Sequence, residues 1–169
     1  MRKKILFLAG MMACSSLAGA QEISKTWVAD KGNGTYQNPV LHADYSDPDI
    51  CAAGDDFYMT ASSFNCIPGI PILHSNDLVN WSLVNYALPV QEPEPFFDKA
   101  QHGKGVWAPA IRFHNGEFYI YWGDPDYGIY MIKTKDPKGK WSKPVLVKAG
   151  KGMIDATPLW DEDGKVYLI

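Results

Sequence analysis

Residues 48–59, "PDICAAGDDFYM", set the pattern that decides the fold. A proline is followed by a short apolar strand, a turn of Gly and Asp, and a second strand that carries aromatic side chains. The same order returns in "PAIRFHNGEFYI" at 109–120 and in "PLWDEDGKVYLI" at 158–169. The units begin about 50 to 60 residues apart, which is close to the length of one β-propeller blade.

Short strands separated by tight turns account for the rest of the chain after Asn38. The segments "SNDLVNW" at 75–81 and "KDPKGKW" at 135–141 match each other as turns that end in Trp. No helix is predicted after Asn38, and the Pro-rich, charged residues 90–105 are predicted to form a loop. Apolar and aromatic patterning predicts strands at 49–53, 57–63, 70–75, 81–88, 108–113, 117–122, 127–134 and 141–147.

The repeated units predict an all-β fold. The doubled match favours a β-propeller over a β-sandwich, which also consists of short strands and turns. The sequence stops inside the second strand of the third unit, where a blade would keep an unpaired apolar edge. We therefore expect residues 38–169 to be a partial catalytic propeller domain, truncated at its C-terminus. It would hold the first two blades and the start of the third, after a polar lead-in at 21–37.

The first 20 residues have the features of a signal peptide. The basic "MRKK" precedes the apolar "ILFLAGMMA", which is too short to span a bilayer, and "AGA" before Gln21 suits a cleavage site. We therefore expect an exported protein, periplasmic or extracellular, without a transmembrane segment. Cys14 leaves open cleavage before a lipid-modified cysteine, although Met11 and Met12 fit that signal poorly.

Charge and cysteine spacing narrow the class of protein. The net charge of -3 and the scattered lysines provide no basic surface for nucleic acid. Cys51 and Cys66 could pair in an oxidising compartment, but Cys51 lies in an apolar strand, where a free cysteine packs as a small hydrophobe. The sequence has no CxxC or Cys/His spacing typical of a metal site.

Two Asp residues lie beside the prolines that open the repeats. Asp49 directly follows Pro48, and Asp155, in "GMIDATP", precedes Pro158. The inner strands of propeller blades surround one channel, so these two carboxylates are expected to converge. Two carboxylates in one pocket suit glycoside hydrolysis, in which one activates water and the other serves the protonation of the leaving oxygen. Position alone leaves the catalytic and the structural interpretation equally open.

The other acidic segments are interpreted as turns. Asp44 and Asp47 precede the first strand and would shape the approach to Asp49. A calcium loop fits them poorly, because the Gly and the distal Glu of an EF-hand are missing. "DEDG" at 161–164 predicts a hairpin turn, and "DPDY" at 124–127 predicts a turn, with an acidic loop at a pocket mouth as the alternative.

Five segments resemble family 43 of the glycoside hydrolases, close to its β-xylosidase branch. The resemblance implies a five-bladed β-propeller and an inverting enzyme that releases xylose or arabinose from xylan, arabinoxylan or xylo-oligosaccharides. It implies no required cofactor, and a structural calcium ion in the channel is not indicated by this sequence. In order from Asn38 to the last residue, the segments are "NPVLHADYSDPDI", "GDDFYMTASSF", "PGIPILHSNDLVNW", "GVWAPAIRF" and "GMIDATPLW".

The resemblance also implies roles for particular residues. Asp49 matches the general base, and Asp155 matches the Asp that tunes the proton affinity of the acid and orients the substrate. Phe64 of "SSF" and Trp107 of "WAP" match residues that wall the sugar subsite, with core packing as the alternative for each ring. The general acid of the family is a Glu in the next blade, beyond Ile169, so residues 21–169 alone are expected to be inactive.

Two other functions stay open. The same fold also serves α-L-arabinofuranosidases, and a propeller that has lost its acid could be a non-catalytic carbohydrate-binding module. Ala110 stands where the family often has Asp after "WAP", a change that bears on specificity more than on the chemistry. A Glu at the acid position would favour catalysis, and a Gln or Ala would favour binding.

Overall fold

The computed structural model describes residues 26–169, which form three antiparallel sheets. Two sheets have four strands each, paired in chain order, and the third is a two-stranded hairpin. The strands are β1 (Asp49–Ala53), β2 (Asp56–Thr60), β3 (Gly69–Ser75), β4 (Ser82–Leu88), β5 (Trp107–His114), β6 (Glu117–Asp124), β7 (Gly128–Thr134), β8 (Val145–Ala149), β9 (Pro158–Trp160) and β10 (Val166–Leu168).

This arrangement confirms the predicted all-β fold and its repeat. Each proline-led unit begins a sheet, and the two Trp corners join the third strand to the fourth in both complete sheets. At those corners the Trp81 indole donates to the Leu78 carbonyl at 3.0 Å, and the Trp141 indole donates to the Pro137 carbonyl at 3.2 Å. In both corners the indole thus donates to a backbone carbonyl of its own corner, three residues back at Trp81 and four residues back at Trp141.

The inner hairpins turn where the sequence predicts. Asn115 and Gly116, between β5 and β6, have φ values of 49° and 77°. Two successive positive φ values are what an Asn-Gly hairpin turn requires. Between β9 and β10, the backbone N–H of Asp161 donates to the Lys165 carbonyl at 2.9 Å, which confirms the predicted "DEDG" turn.

The core lies between the first and second sheets, and β6 is buried on both faces. Phe118, Ile120 and Trp122 point into that core, whereas Tyr121 belongs to a second cluster with Ala156, next to the third sheet. Successive side chains of a strand point to opposite faces, so β6 serves two interfaces at once. The main core consists of Tyr58, Ile70, Ile72, Ala87, Leu88, Val106, Ile111, Phe118, Ile120, Trp122, Tyr130, Ile132 and Trp141.

Three secondary-structure predictions were wrong in part, one of them the strand predicted over 57–63, which ends at Thr60. Residues 90–105 contain a one-turn helix, α1 (Glu94–Phe97), with a proline in its first turn. Proline is tolerated there because the first helical N–H groups have no intrahelical acceptor, so a Pro-rich segment need not be a loop throughout. The strand predicted from Trp141 begins only at Val145, after Pro144, which lacks the N–H needed for pairing.

The predicted signal peptide at 1–20 lies outside the described residues. Within residues 26–169, no helix is long and apolar enough to cross a membrane. The lead-in has an Asp30–Tyr36 bridge around its Gly-Asn-Gly turn. Cys51 and Cys66 are both free thiols, and burial raises the pKa of Cys51 to about 12. Cys51 packs against the core as a partly buried, small hydrophobic residue.

Candidate active site

Asp49 begins β1, and one of its carboxylate oxygens is held by β5 of the second sheet. Oδ2 accepts hydrogen bonds from the Ile111 backbone N–H, at 2.7 Å, and from Nη1 of Arg112. Oδ1 has no hydrogen-bond partner within residues 26–169, and 31% of the side chain is exposed. The carboxylate is thus anchored through one oxygen, and the other remains able to accept a hydrogen bond.

Phe64 and Trp107 lie on neighbouring segments that are joined by the backbone. Phe64 bridges to Val106, which immediately precedes Trp107, through hydrogen bonds of 3.0 and 2.9 Å. The Trp107 indole donates to the Gly103 carbonyl at 2.6 Å. Both rings are half-buried, and neither belongs to the clusters of buried residues. Sugar-facing walls and packing both stay open as interpretations of these half-buried rings.

Asp155 is exposed and lies at the entrance to the third hairpin, with a φ of 58°. Its neighbour Ile154 packs on the end of β6, where a Cβ on Gly123 would be 2.7 Å from the Ile154 Cα. Gly123 is in turn paired with Trp107 across β5 and β6. The backbone beside Asp155 therefore packs on the β5–β6 pair that carries Trp107. The Asp155 carboxylate makes no hydrogen bond within the described part of the chain.

Asp47 behaves as the predicted turn residue and also connects to β5. Its Oδ2 accepts from the hydroxyls of Ser46, at 2.9 Å, and Ser62, at 2.8 Å. The Ser62 oxygen in turn accepts from the Ala108 backbone N–H at 2.8 Å. Asp44 is exposed. Asp47 thus links the turn before β1 to the start of β5 through Ser62.

Sequence reasoning missed three residues of this region: Arg112, Thr157 and Gln91. Arg112 Nη2 donates to Thr157 Oγ1 at 2.7 Å, so its guanidinium joins β5 to the strand that follows Asp155. Gln91 is buried, and its amide is placed to donate to the Phe64 carbonyl and to accept from the Val106 N–H, at 3.1 and 3.2 Å. A cation inside an apolar strand was the available signal for Arg112, since charged residues are rarely placed there without a partner.

Asp124 ends β6 and caps the predicted "DPDY" turn. Its Oδ1 accepts from the backbone N–H groups of Asp126, at 2.9 Å, and Tyr127, at 3.3 Å. The side chain is buried, and burial raises the pKa of Asp124 above its usual range. These contacts confirm the turn and make Asp124 part of its structure. Within residues 26–169, no group of three or more His, Cys, Asp and Glu side chains could hold a metal ion.

Comparison with known proteins gives the family of this chain. A family model described as "Glycosyl hydrolases family 43" matches residues 36–169, which is most of the chain. The chain belongs to glycosyl hydrolase family 43. With that assignment, its sheets are two blades and the start of a third blade of a five-bladed β-propeller, as predicted.

Some relatives of this family 43 chain are named as xylosidases and others as arabinofuranosidases. "Beta-xylosidase" of Formosa agariphila is 36% identical over 98% of the chain and 30% of its own length. "Non-reducing end alpha-L-arabinofuranosidase BoGH43B" of Bacteroides ovatus is 38% identical over 80% of the chain and 26% of its own length. The crystal structure of the BlXynB protein from Bacillus licheniformis, at 33% identity, has a TM-score of 0.69 over 79% of this chain and 28% of that one. The chain thus spans less than a third of these proteins.

Proposed function

We propose that the complete protein is an exported glycoside hydrolase that releases terminal xylose from xylan-derived oligosaccharides with inversion of configuration. The observation that carries this proposal is the state of Asp49, which is anchored through Oδ2 while Oδ1 has no partner within residues 26–169. Membership of family 43 supports the reaction class, and the name of the Formosa agariphila relative supports the sugar.

In the proposed reaction, Asp49 takes a proton from a water molecule as that water attacks the anomeric carbon. The glycosidic C–O bond breaks, and the leaving oxygen takes a proton from the general acid, which family resemblance assigns to a Glu beyond Ile169. Asp155 orients the sugar and sets the proton affinity of that acid. Phe64 and Trp107 hold the apolar face of the ring.

The proposal is tested by replacing Asp49 with Asn in the complete protein. Asn keeps the shape of the side chain but cannot accept the proton, so kcat on nitrophenyl xyloside should fall by about 10²–10⁴-fold while KM is retained. Asp55→Asn is the matched control, because Asp55 is an exposed Asp in the turn at the other end of β1. Near-normal turnover by Asp49→Asn would reject Asp49 as the base.

The second candidate is an α-L-arabinofuranosidase on the same site, and the Bacteroides ovatus relative favours it. The two sugars are separated by measuring kcat/KM on nitrophenyl xyloside and on nitrophenyl arabinofuranoside. The xylosidase proposal requires a clear preference for the xyloside. A preference for the arabinofuranoside would replace the sugar and leave the role of Asp49 unchanged. Binding of xylo-oligosaccharides without turnover of either substrate would favour the non-catalytic carbohydrate-binding propeller.

The export part of the proposal has its own test. Cleavage after Ala20 would leave Gln21 as the first residue of the mature protein, whereas lipid modification would leave Cys14 first. N-terminal sequencing or intact-mass measurement of the secreted protein distinguishes these two. A protein that keeps Met1 and remains inside the cell would contradict export.

A further inference from the structure

Arg112 joins all three sheets through one guanidinium group. Nη1 donates to Asp49 Oδ2, at the start of β1, and to the Ile111 carbonyl at 2.7 Å. Nη2 donates to Thr157 Oγ1 at 2.7 Å, just before β9. Its two side-chain partners, Asp49 and Thr157, are 63 and 45 positions away from Arg112 in the sequence. A planar group with several fixed donors suits this kind of simultaneous contact better than any other side chain.

The direction of the Arg112 side chain follows from the sheet. Arg112 is paired with Tyr119 on β6, and the Tyr119 ring lies 5.2 Å from the Trp160 ring of β9. Paired residues share a face of the sheet, so Arg112 lies on the side of β5 that faces the third hairpin. From there it reaches back to Asp49, and β5 supplies both of the donors that hold Asp49 Oδ2.

Two donors on one oxygen restrict the carboxylate. The Ile111 N–H and Arg112 Nη1 both bind Oδ2, so rotation about the Cβ–Cγ bond of Asp49 would break both contacts. The second oxygen, Oδ1, is thereby kept in one direction. For a general base this matters because the proton acceptor must lie within hydrogen-bond reach of the attacking water.

We infer that Arg112 is a positioning residue for Asp49 and that Thr157 holds Arg112 in place. This inference rests on the proposed role of Asp49 as the base. Thr157 lies two residues after Asp155, so the guanidinium also links Asp49 to the segment that carries Asp155. The Asp49–Arg112 pair is 31% and 34% exposed, and pairs of that exposure contribute little to stability. We therefore assign the pair a role in orienting the Asp49 carboxylate.

The test compares variants of the complete protein on nitrophenyl xyloside. Arg112→Met removes both links and should lower kcat by about 10²-fold, the loss expected for a misplacement of roughly 1 Å, with KM little changed. Arg112→Lys should recover only part of the rate, because one ammonium cannot reproduce the planar fork. Thr157→Val should give a smaller loss than Arg112→Met. An unchanged kcat in Arg112→Lys and Thr157→Val would overturn the inference, even if Arg112→Met failed to fold.

Lys133→Met is the matched control, because it also removes a paired cation from the second sheet. Lys133 Nζ lies 3.0 Å from Glu117 Oε2 and has no contact with Asp49. Its kcat should match that of the unaltered protein. If Lys133→Met lost as much activity as Arg112→Met at a similar melting temperature, removal of any paired cation from this sheet would lower kcat. That result would reject a specific positioning role for Arg112.

A double-mutant cycle shows whether Arg112 acts through Asp49. Once Asp49→Asn has removed the base, Arg112→Met should lower kcat little further. Fully additive losses, or a rise in KM alone, would show that Arg112 acts directly on the substrate and would overturn its positioning role. Rescue of Arg112→Ala by added guanidinium, with no rescue of Asp49→Asn, would support the positioning role.

The same variants separate failure of this inference from failure of the proposed function. A normal kcat in Asp49→Asn would reject the proposed function. An impaired Asp49→Asn beside normal Arg112 variants would reject only this inference.

Discussion

At the scale of single residues, Gly123 controls how closely the third hairpin approaches the second sheet. A Cβ at this position would be 2.7 Å from the Ile154 Cα and 2.8 Å from the Met153 carbonyl oxygen. Both are backbone atoms, which cannot move aside as the end of a flexible side chain can. The position of Asp155, next to Ile154, therefore depends on the absence of a side chain at position 123 of β6.

Gly123→Ala is expected to destabilise the protein by about 1–3 kcal/mol, the usual cost of overpacking, and to lower kcat by displacing Asp155. The melting temperature and the kcat on nitrophenyl xyloside measure the two effects. Gly103→Ala is the control, because a Cβ there has no heavy atom within 4 Å. Equal melting temperatures for the two variants would contradict the predicted contact.

The two candidate sugar-facing rings give a second prediction. Trp107→Ala and Phe64→Ala should each weaken binding of xylose or xylobiose by about 1 kcal/mol, or roughly fivefold in Kd, by analogy with pairs of aromatic rings. Phe113→Ala is the comparison on the same strand, since Phe113 packs on Phe118 with ring centroids 4.7 Å apart. It should lower the melting temperature without changing sugar affinity. The same result for Trp107→Ala or Phe64→Ala would assign that ring to packing.

The sequence predicted the residues whose role is local, and it missed those whose role depends on distant partners. Asp49 could be singled out because the repeat places it at a strand start, and Asn115–Gly116 because a hairpin turn needs those residue types. The contacts of Arg112 with Asp49 and Thr157 join three sheets, and no local pattern specifies which strands adjoin. Gln91 was hidden for the same reason, in a segment whose prolines suggested only a loop. The catalytic roles of Asp49 and Asp155 stay predictions.

At the scale of elements, the corner between β3 and β4 is stabilised by one carboxylate. Asp77 Oδ1 accepts from the backbone N–H groups of Val79, at 2.9 Å, and Asn80, at 2.7 Å. The Asn80 side-chain amide donates to Oδ2 at 2.8 Å. These bonds, with the Asn80 backbone contributing most, lower the pKa of Asp77 below its usual range. The charged form is therefore favoured in the folded state.

Because the folded-state pKa is lowered, Asp77 stabilises the fold above its unfolded pKa of about 4, and the contribution is lost as the pH falls toward the folded value. Asp77→Ala should cost about 1 kcal/mol or less at pH 7, since the side chain is exposed, and the difference from the unaltered protein should shrink below about pH 4. Thermal melts at pH 7 and pH 3 measure it. Asp44→Ala is the control, an exposed Asp with no hydrogen bond within the described residues. A difference that grew in acid would contradict the sign.

The elements also show why strand patterning succeeded in some places and failed in others. In β6, Phe118, Ile120 and Trp122 alternate with Tyr119 and Tyr121, and both sets are packed, so the strand is almost continuously apolar. That run could be recognised as a strand without knowing its neighbours. The fourth strand of the second sheet could not be bounded, because Trp141 is buried although it precedes the strand. The apolar character of Trp141 correctly indicated that the residue is buried, but it did not indicate that the residue pairs with β7.

At the scale of the whole molecule, each sheet uses its faces to contact the sheets on either side. Strand β6 of the second sheet is covered on both faces, whereas Ile50 and Leu83 of the first sheet, Val145 and Val147 of β8 in the second, and Leu159 and Tyr167 of the third remain 40–52% exposed. Stacked repeats bury their apolar faces only against neighbouring repeats. An apolar face therefore stays exposed where the described sheets have no neighbour. The repeat allowed this architecture to be predicted from the spacing of three prolines.

Stereochemistry tests the whole proposed propeller, because it depends on the separation between a base on one blade and an acid on another. An inverting enzyme leaves about 6.5–9.5 Å between the two carboxyl groups, which is room for a water molecule. Proton NMR during hydrolysis should therefore show the first-formed sugar with inverted anomeric configuration, before mutarotation. Asp55→Asn should give the same anomer as the unaltered protein. Retention of configuration would contradict the proposed mechanism and the place of Asp49 in it.

The bridge made by Arg112 also sets an order in time. A ribosome adds roughly 5–20 residues per second, and it makes Arg112 63 residues after Asp49 and Thr157 a further 45 residues later. For several seconds, each new chain therefore carries the Asp49 carboxylate without the cation that will hold it. The completed bridge is among the last contacts that these three sheets can form, so the candidate site is assembled at the end of their synthesis.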